Sequence, residues 1–529
     1  MQYLASYSIK MMQPSLAIMW ITVALDLCNG AKILGIFPTA SYSHQQPLLA
    51  VTRALAKKGH DLIVINTNPS ETPIKNHRDI DLSFLYKEWA ELQRDHGFSL
   101  QDRINPFTHV GDFAVFFEYF GHKALGSRQI QDFIREVNGT KFDLIIYEGL
   151  SYSSFLGFSD LVGNPPLVSI VTVHPFTFSN SIVGNPELPS YIPSIFFPHS
   201  HKMSFTERLI NFSINIYCQY IKWRYLDSLH EELIRKYFGN LKHSAHDFEK
   251  NVSMMIVSAD LATGYPRPLH PNTIYVGPMH VGEPVPLPQD LQTWMDDSQD
   301  GVIYFSLGSN MKGTSVPADK RAAFIRAFAQ FPSYRVLWKW EADTKLAGQP
   351  DNVLVRKWLP QQSILAHPKT KLFISQVGLQ SFQEAITFGV PILGIPMFGD
   401  QDYNARKLVD AGAGRCMQFH EISFENVFEN LKLMLTNASY KDNIMKLSRI
   451  TNDKPMPAIE TAVWWIEYVM RLKGAPHIKP ASMDLTWYQY NCLDIISAIL
   501  LFLLVLIFIF FYTLRHIARG LFYNKVKKH

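Results

Sequence analysis

The sequence is poor in cysteine, poor in charge, and lacks several short motifs that announce common chemistries. Four cysteines in 529 residues, at positions 28, 218, 416 and 492, make neither a disulfide scaffold nor a CxxC pair for structural zinc. There is no HExxH. Gly308 to Gly313 has P-loop spacing, but Thr314 stands where a P-loop requires lysine, which argues against a nucleoside triphosphatase. No GxGxxG follows the first apolar run, which argues against a dinucleotide oxidoreductase. Charged residues are 18% of the chain, against about 25% in ordinary soluble domains. The hydrophobic fraction of 47% excludes a disordered chain, and 28 glycines with 31 prolines exclude a collagenous one. The net charge is +4, and Arg515, Arg519, Lys525, Lys527 and Lys528 of the tail account for all of it. The rest is close to neutral and offers no basic field for nucleic acid.

Two segments explain the dilution of charge. Lys10, the apolar run Leu16–Leu25 and the small residues Cys28 and Gly30 have the layout of a secretory signal peptide over residues 1–30, with cleavage expected after Gly30. Ile495–Leu514 carries no charged residue and is long enough to cross a hydrocarbon core of about 30 Å. Asp494 flanks it on one side and Arg515, His516 and Arg519 on the other. Cations favour the cytoplasmic side, so the tail 515–529 is expected in the cytosol and the body in the lumen. Lys525 and Lys527 resemble a dilysine retrieval signal, which makes the expectation a single-pass type I protein of the endoplasmic reticulum membrane. Asn138, Asn211, Asn251 and Asn437 sit in N-glycosylation sequons; Asn68 is excluded by Pro69.

Between these segments the pattern alternates strand and helix. Lys32–Phe37 is a short apolar run, Gln46–Gly59 has helical spacing closed by glycine, and Asp61–Asn66 is a second run. Further strands are expected at Phe142–Tyr147, Leu167–Val171 and Met254–Ala259, with insertions near 70–130 and 175–250. In the second insertion Ile210, Ile214, Tyr217, Ile221 and Tyr225 share one helix face, which reads as core packing. Asp79-Ile80-Asp81 is a DxD within the first insertion and reads as a solvated pair. Seven prolines between Pro266 and Pro288 predict an extended linker. A second alternation follows, with strands at Val302–Leu307, Arg335–Trp340, Val353–Lys357, Lys371–Ser375, Pro391–Ile395 and Arg415–Phe419. Alternation of this kind predicts two doubly wound parallel sheets with a ligand cleft at the carboxyl ends of their strands. The expected divisions are 31–265, the linker 266–288, 289–450, a returning helix and membrane-proximal segment at 451–494, the span 495–514 and the tail 515–529.

The stretch Lys357–Ala405 is the most informative. Trp358 precedes Pro360 and Gln361. A strand runs into a glycine turn at Gly378 and then a helix, whose free N–H groups and dipole favour an anion. Glu384 lies on that helix, and a further strand leads to Gly399-Asp400-Gln401. A stacking plane, an anion cradle, a ribose acceptor and a polar clamp together suit a nucleotide sugar.

This stretch resembles the signature of the membrane-bound UDP-glycosyltransferases of animals, the insect branch above all, and the similarity runs from about Ala31 through the tail. The resemblance implies an α/β GT-B fold, with two Rossmann-like domains facing across a cleft, plus one C-terminal transmembrane helix. It implies inverting transfer of a hexose, glucose from UDP-glucose in the insect case, to a hydroxyl of a small lipophilic acceptor in detoxification or conjugation. No permanently bound cofactor and no metal are implied, and a homo-oligomer is allowed. Residue by residue it assigns uracil stacking to Trp358, the uracil edge to Gln361, ribose to Glu384, the donor sugar to Asp400 and Gln401, and the phosphates to Ser309 and the turn and helix start of Gln376, Gly378, Gln380 and Ser381. His44, in a Ser-His context after the first strand, matches the catalytic base. Glu148 takes the place of the family's partnering aspartate and is one methylene longer. Val377 replaces a glycine; if positive φ is required there, a β-branched residue is disfavoured, so either an extended backbone or an altered donor site is expected. These two departures motivate an alternative, a membrane-tethered small-ligand-binding protein with the same fold and impaired catalysis.

Overall fold

The computed structural model describes residues 30–95, 105–343 and 346–526. The expected leader and the terminal Lys527 and Lys528 lie outside the described residues. The chain up to Lys479 is one compact unit, and a second begins at Pro480.

The first unit holds two sheets whose strand pairs are all parallel. One comprises β1 (Lys32–Phe37), β2 (Asp61–Asn66), β3 (His77–Asp81), β4 (Leu144–Glu148), β5 (Leu167–Val171), β6 (Val252–Val257) and β7 (Thr273–Tyr275), in the order β3-β2-β1-β4-β5-β6-β7. The other comprises β8 (Gly301–Ser306), β9 (Tyr334–Lys339), β10 (Val353–Arg356), β11 (Thr370–Ser375), β12 (Ile392–Gly394) and β13 (Gly414–Cys416), in the order β10-β9-β8-β11-β12-β13. β6 and β8 are buried along their whole length, because helices cover both faces of each sheet and select continuous apolar runs. Strand order reverses at β1, between β2 and β4, and at β8, between β9 and β11. Doubly wound sheets open a ligand crevice at such switch points.

On one face of the first sheet, Leu34, Ile36, Ile145 and Tyr147 pack with Phe117, Phe120 and Phe133 from the helices of the first insertion. On the other, Ile33, Leu62, Val64 and Ile256 pack with Ala462, Val463, Ile466 and Val469 of the helix Ala458–Arg471. Each such aliphatic side chain contributes about 1.5–3 kcal/mol on full burial, so the chain returns from the second sheet to close the core of the first. In the helix Phe205–Ile221, Ile214 is buried and Tyr217 and Ile221 pack on that core, as the periodicity implied, but Tyr225 does not: the π-helical turn Lys222–Leu226 shifts the register and leaves it exposed. The opposite face leaves Phe205, Leu209, Phe212, Ile216 and Tyr220 exposed.

Two edge strands escaped the sequence reading. β7 lies inside the proline-dense stretch and is three residues long. β3 contains the DxD, and only Ile80 of its five residues is buried, too little for an apolar run to show. The aspartates are not a free solvated pair. Asp79 accepts from the Asn66 amide at 2.6 Å and from the Ser70 N–H at 3.0 Å, and Asp81 accepts from the Ser83 N–H at 2.7 Å. One sequon is also corrected. Asn211 is buried, donates to the carbonyls of Pro189 and Ile192 and accepts from the Ser194 N–H, so its amide has no room for a glycan. Asn138, Asn251 and Asn437 are exposed.

In the second unit Leu493–Val526 is a single helix, and Leu493–Leu521 is long and apolar enough to cross a membrane.

Candidate active site

The two switch points place their loops on a common cleft of about 280 Å³, lined among others by Tyr42, Ser309, Lys339, Trp358, Gln361, Gln376, Gly378, Gln380, Ser381 and Glu384. The second sheet supplies most of this surface. Ser309 follows β8, and Gln376 and Gly378 follow β11, leading into the helix Leu379–Thr387. Gly378 is the N-cap of that helix in extended conformation and, having no side chain, supplies no capping group. The first-turn N–H groups are therefore open toward the cleft. Two side-chain oxygens there, Ser309 Oγ and Gln376 Oε1, are buried without a hydrogen-bond partner, the condition expected of groups whose partner is a ligand.

Trp358 is 56% exposed. The edge of Tyr42 meets its ring at a centroid distance of 5.0 Å, and Lys339 Nζ lies 5.4 Å from its centroid. Lys339, at the end of β9, donates to the Gly308 carbonyl at 2.9 Å and to Glu341 at 2.8 Å. Gln361 donates to Ser381 Oγ at 2.9 Å and to Glu384 at 2.6 Å, and it accepts from Tyr304 at 3.1 Å. Gln362 donates to the other Glu384 oxygen at 3.1 Å. Burial nevertheless pushes the Glu384 carboxyl up to about 7, against the pull of these two amides. His280 Nε2 sits 3.5 Å from Glu384 and 3.2 Å from the Gln380 carbonyl, and burial lowers its imidazole to about 4.

Asp400 and Gln401 start the helix Gln401–Asp410, outside the lining of this cleft. Burial raises the Asp400 carboxyl, against the pull of the Asn404 amide 2.9 Å away and of His44. Gln401 spends its oxygen on the N–H groups of Met397 and Phe398, at 2.8 and 3.2 Å. The Gln380 amide nitrogen, too, is engaged, donating to the Thr172 carbonyl at 2.7 Å.

Val377 combines what the sequence reading held apart. Its φ is +60°, left-handed and not extended, yet its side chain is fully buried in the core beneath the second sheet. A Cβ added at Gly394 would lie 2.6 Å from Val377 Cγ2, which shows how closely the valine packs there. The strained backbone is held from both ends: Val377 N donates to Ser375 Oγ at 3.1 Å, and its carbonyl accepts from Asn404 at 3.0 Å. The valine side chain lies in this core and not among the residues that line the cleft, so it does not obstruct it.

The first sheet brings Tyr42, Ser43 and Gln46 to the cleft, and His44 and Glu148 lie beside them, outside its lining. His44 lies in the first turn of the helix Tyr42–Lys57, directly after β1. Its Nδ1 is 3.3 Å from Glu148 Oε1 at the end of β4 and 2.7 Å from Thr172 Oγ after β5. Glu148 is fully buried, and its second oxygen accepts from Thr39 Oγ at 2.6 Å. Tyr152 lies 3.1 Å from the same hydroxyl. The extra methylene of Glu148 therefore does not carry it out of reach of the imidazole. Ser41, just before this helix, donates across the cleft to Asn310 at 3.0 Å. Thr39, Tyr152, Thr172, His280 and Lys339 were all missed from sequence. For Thr172 a signal existed, its place immediately beyond the carboxyl end of a central strand.

Residues 31–528 match the family model described as UDP-glucoronosyl and UDP-glucosyl transferase. UDP-glycosyltransferase UGT5 of Dactylopius coccus is 34% identical over 95% of this chain and 96% of its own length. UDP-glucuronosyltransferase 1-2 of Rattus norvegicus is 30% identical over 96% and 95%. Among solved structures, CalG4, the calicheamicin glycosyltransferase, superposes with a TM-score of 0.55 at 16% identity, covering 85% of this chain and all of that one. A UDP-glucosyltransferase from Polygonum tinctorium gives 0.56 at 14% identity over 84% and 99%. At such identities the solved structures speak for the fold alone, two Rossmann-type parallel sheets in the GT-B arrangement. The family match and the curated relatives, which span the chain nearly from end to end, carry the identity: the chain belongs to the UDP-glucuronosyl and UDP-glucosyl transferase family, and it is a UDP-glycosyltransferase.

Proposed function

We propose that the enzyme transfers glucose from UDP-glucose to a hydroxyl of a small lipophilic acceptor, with inversion, in detoxification or conjugation. The observation that carries this reading is a His44–Glu148 pair at the strand ends of the first sheet, adjoining Tyr42 and Ser43 of the cleft, together with an open helix N-terminus and two unpartnered oxygens from the second sheet. His44 Nδ1 faces Glu148, which leaves Nε2 as the base. Nε2 takes the acceptor's hydroxyl proton, the oxygen attacks the anomeric carbon, and the carbon–oxygen bond to UDP breaks on the opposite face. UDP leaves with the bonding electrons, and the N–H groups at Gly378–Ser381, with Ser309 and Gln376, stabilise its charge. Glu148 balances the imidazolium in the acid–His manner of hydrolases. Trp358 and Gln361 hold the uracil, Glu384 the ribose, and Asp400 and Gln401 the hexose.

The body is lumenal in this reading, 31–265 binds acceptor, 289–450 binds donor, and the apolar helix anchors the chain in the endoplasmic reticulum membrane as a type I protein. The deciding experiment is a donor screen with UDP-glucose, UDP-galactose and UDP-glucuronate against a phenol panel. Glucoside products of inverted configuration are expected, and a preference for glucuronate would overturn the donor assignment.

A further inference from the structure

The shortest contact made by the His44 ring is not with the carboxylate. Nδ1 lies 2.7 Å from Thr172 Oγ and 3.3 Å from Glu148 Oε1. Glu148 is already engaged, because its other oxygen takes the Thr39 hydroxyl at 2.6 Å. Thr172 occupies the first position after β5, next to β4 in the sheet, so the ends of two adjacent strands converge on one ring nitrogen. Thr172 is fully buried, so its hydroxyl is shielded from bulk water. Its backbone is also tied across the cleft. Gln380, in the first turn of the helix Leu379–Thr387, donates from Nε2 to the Thr172 carbonyl at 2.7 Å.

We propose that Thr172 is a positioning residue for His44 and the joint through which the second sheet sets the attitude of the base. With the proton on Nδ1, the Thr172 oxygen accepts it and leaves the Nε2 lone pair free. When Nε2 gains a second proton, the same Nδ1–H is shared with the Glu148 carboxylate, which carries the compensating charge. Thr172 thus fixes tautomer and orientation in the resting enzyme, and Glu148 acts as charge develops. The Gln380 bond makes this geometry depend on the two sheets being docked, since a shift of the Leu379–Thr387 helix start would pull directly on the Thr172 peptide.

The proposal rests on His44 being the base, and the experiment separates the two claims. Thr172→Val keeps shape and removes the acceptor, Thr172→Ser restores the acceptor without the methyl, and Thr172→Cys offers a weak acceptor of similar size. Thermal unfolding of each full-length enzyme, with UDP binding, reads whether the fold and donor site survive. The expected order of kcat is Thr, then Ser within about threefold, then Cys, then Val at roughly 10–100-fold down, with KM for the UDP-sugar unchanged. A packing role would instead make Ser as poor as Val, and a donor contact would move KM in place of kcat; either result overturns the proposal. In a His44→Ala background the valine substitution is expected to cost nothing further. Additive losses would overturn the Thr172 proposal and leave His44 in place, whereas a fully active His44→Ala enzyme would remove the base assignment itself.

Discussion

The two walls of the cleft are finished to different degrees. On the first sheet Tyr152, Thr39, Glu148, His44 and Thr172 form an unbroken run of contacts, each within hydrogen-bond reach of the next. On the second sheet Ser309 Oγ and Gln376 Oε1 have no partner, and Glu384 is buried deeply enough to raise its carboxyl to about 7. Buried polar groups left unsatisfied cost about 1–3 kcal/mol each. The second-sheet side therefore carries a cost that a ligand with matching polar groups would relieve, and on the proposed function that ligand is the nucleotide sugar, while the His44 cluster is organised without one. A single donor can be written into the protein as missing partners. On the proposed function, a base that serves more than one acceptor has to be complete by itself.

Removing the completed wall's central group gives the largest effect. His44→Ala is expected to lower transfer by about 10²–10⁴-fold with UDP affinity near that of the wild type, measured by initial rates and by calorimetry with UDP. Retained turnover would break the division of labour between the walls. Glu148 comes next. Glu148→Gln keeps the shape but loses the charge that balances the imidazolium, and about 10–100-fold in kcat is the expected loss. Glu148→Asp is expected to be no better. Thr39 and His44 grip the two oxygens of a fully buried side chain, and shortening it withdraws both contacts at once.

The unfinished wall has a pH signature. The Glu384 carboxyl titrates near 7 in the folded protein against an ordinary 4.5. The folded state holds that proton more tightly than the unfolded chain, so its contribution to stability is full below about 4.5 and is lost as pH rises to about 7. With Glu384 as the proposed ribose partner, ribose hydroxyls would donate to the ionised carboxylate and pull it back down. UDP binding is then expected to release a proton, and affinity to rise severalfold from pH 5.5 to 7.5, within a limit of about tenfold per unit. Calorimetry in buffers of different ionisation enthalpy counts the proton. Glu384→Gln should flatten the profile, and a slope that survives in this variant would assign the titration elsewhere.

The same contrast decides what could be read from sequence. The donor wall is built from one continuous stretch, so Trp358, Gln361 and Glu384 could be picked out together. Their orientation could not. Gln380 turns its amide to Thr172 and Gln401 turns its oxygen to its own turn, outcomes of packing between segments far apart in the chain. The base wall joins β1, β4 and β5, and only His44 and Glu148 stood in recognisable strings. Thr39 has no local pattern, and for Thr172 the one signal, its place just beyond a central strand, is shared by any strand-end residue and means little until its neighbours are known. The strands that went unseen, β3 and β7, are edges with few buried side chains, where hydrophobic periodicity has nothing to act on.

Val377 offers the smallest effect and the finest test of how the donor wall is held. Its left-handed backbone costs about 1–3 kcal/mol in a β-branched residue. Burying its side chain returns about 1.5–3 kcal/mol, and the packing against Gly394 and the bonds from Ser375 and Asn404 keep it there. Val377→Gly relieves the strain and loses the burial. It also adds chain entropy worth about 0.5–1 kcal/mol to the unfolded state. The three terms nearly cancel, so a net loss of about 1 kcal/mol is expected, seen as a small fall in the unfolding midpoint, with UDP affinity unchanged. Val377→Ala serves as the comparison, because it gives up two methyl groups while keeping a Cβ at positive φ. If strain is a real part of the balance, glycine will be no worse than alanine although it removes more atoms. Glycine markedly less stable than alanine would mean that hydrogen bonds and packing leave no strain at this turn. Tighter UDP binding by the glycine variant would mean that the valine obstructs the donor, contrary to its burial in the core.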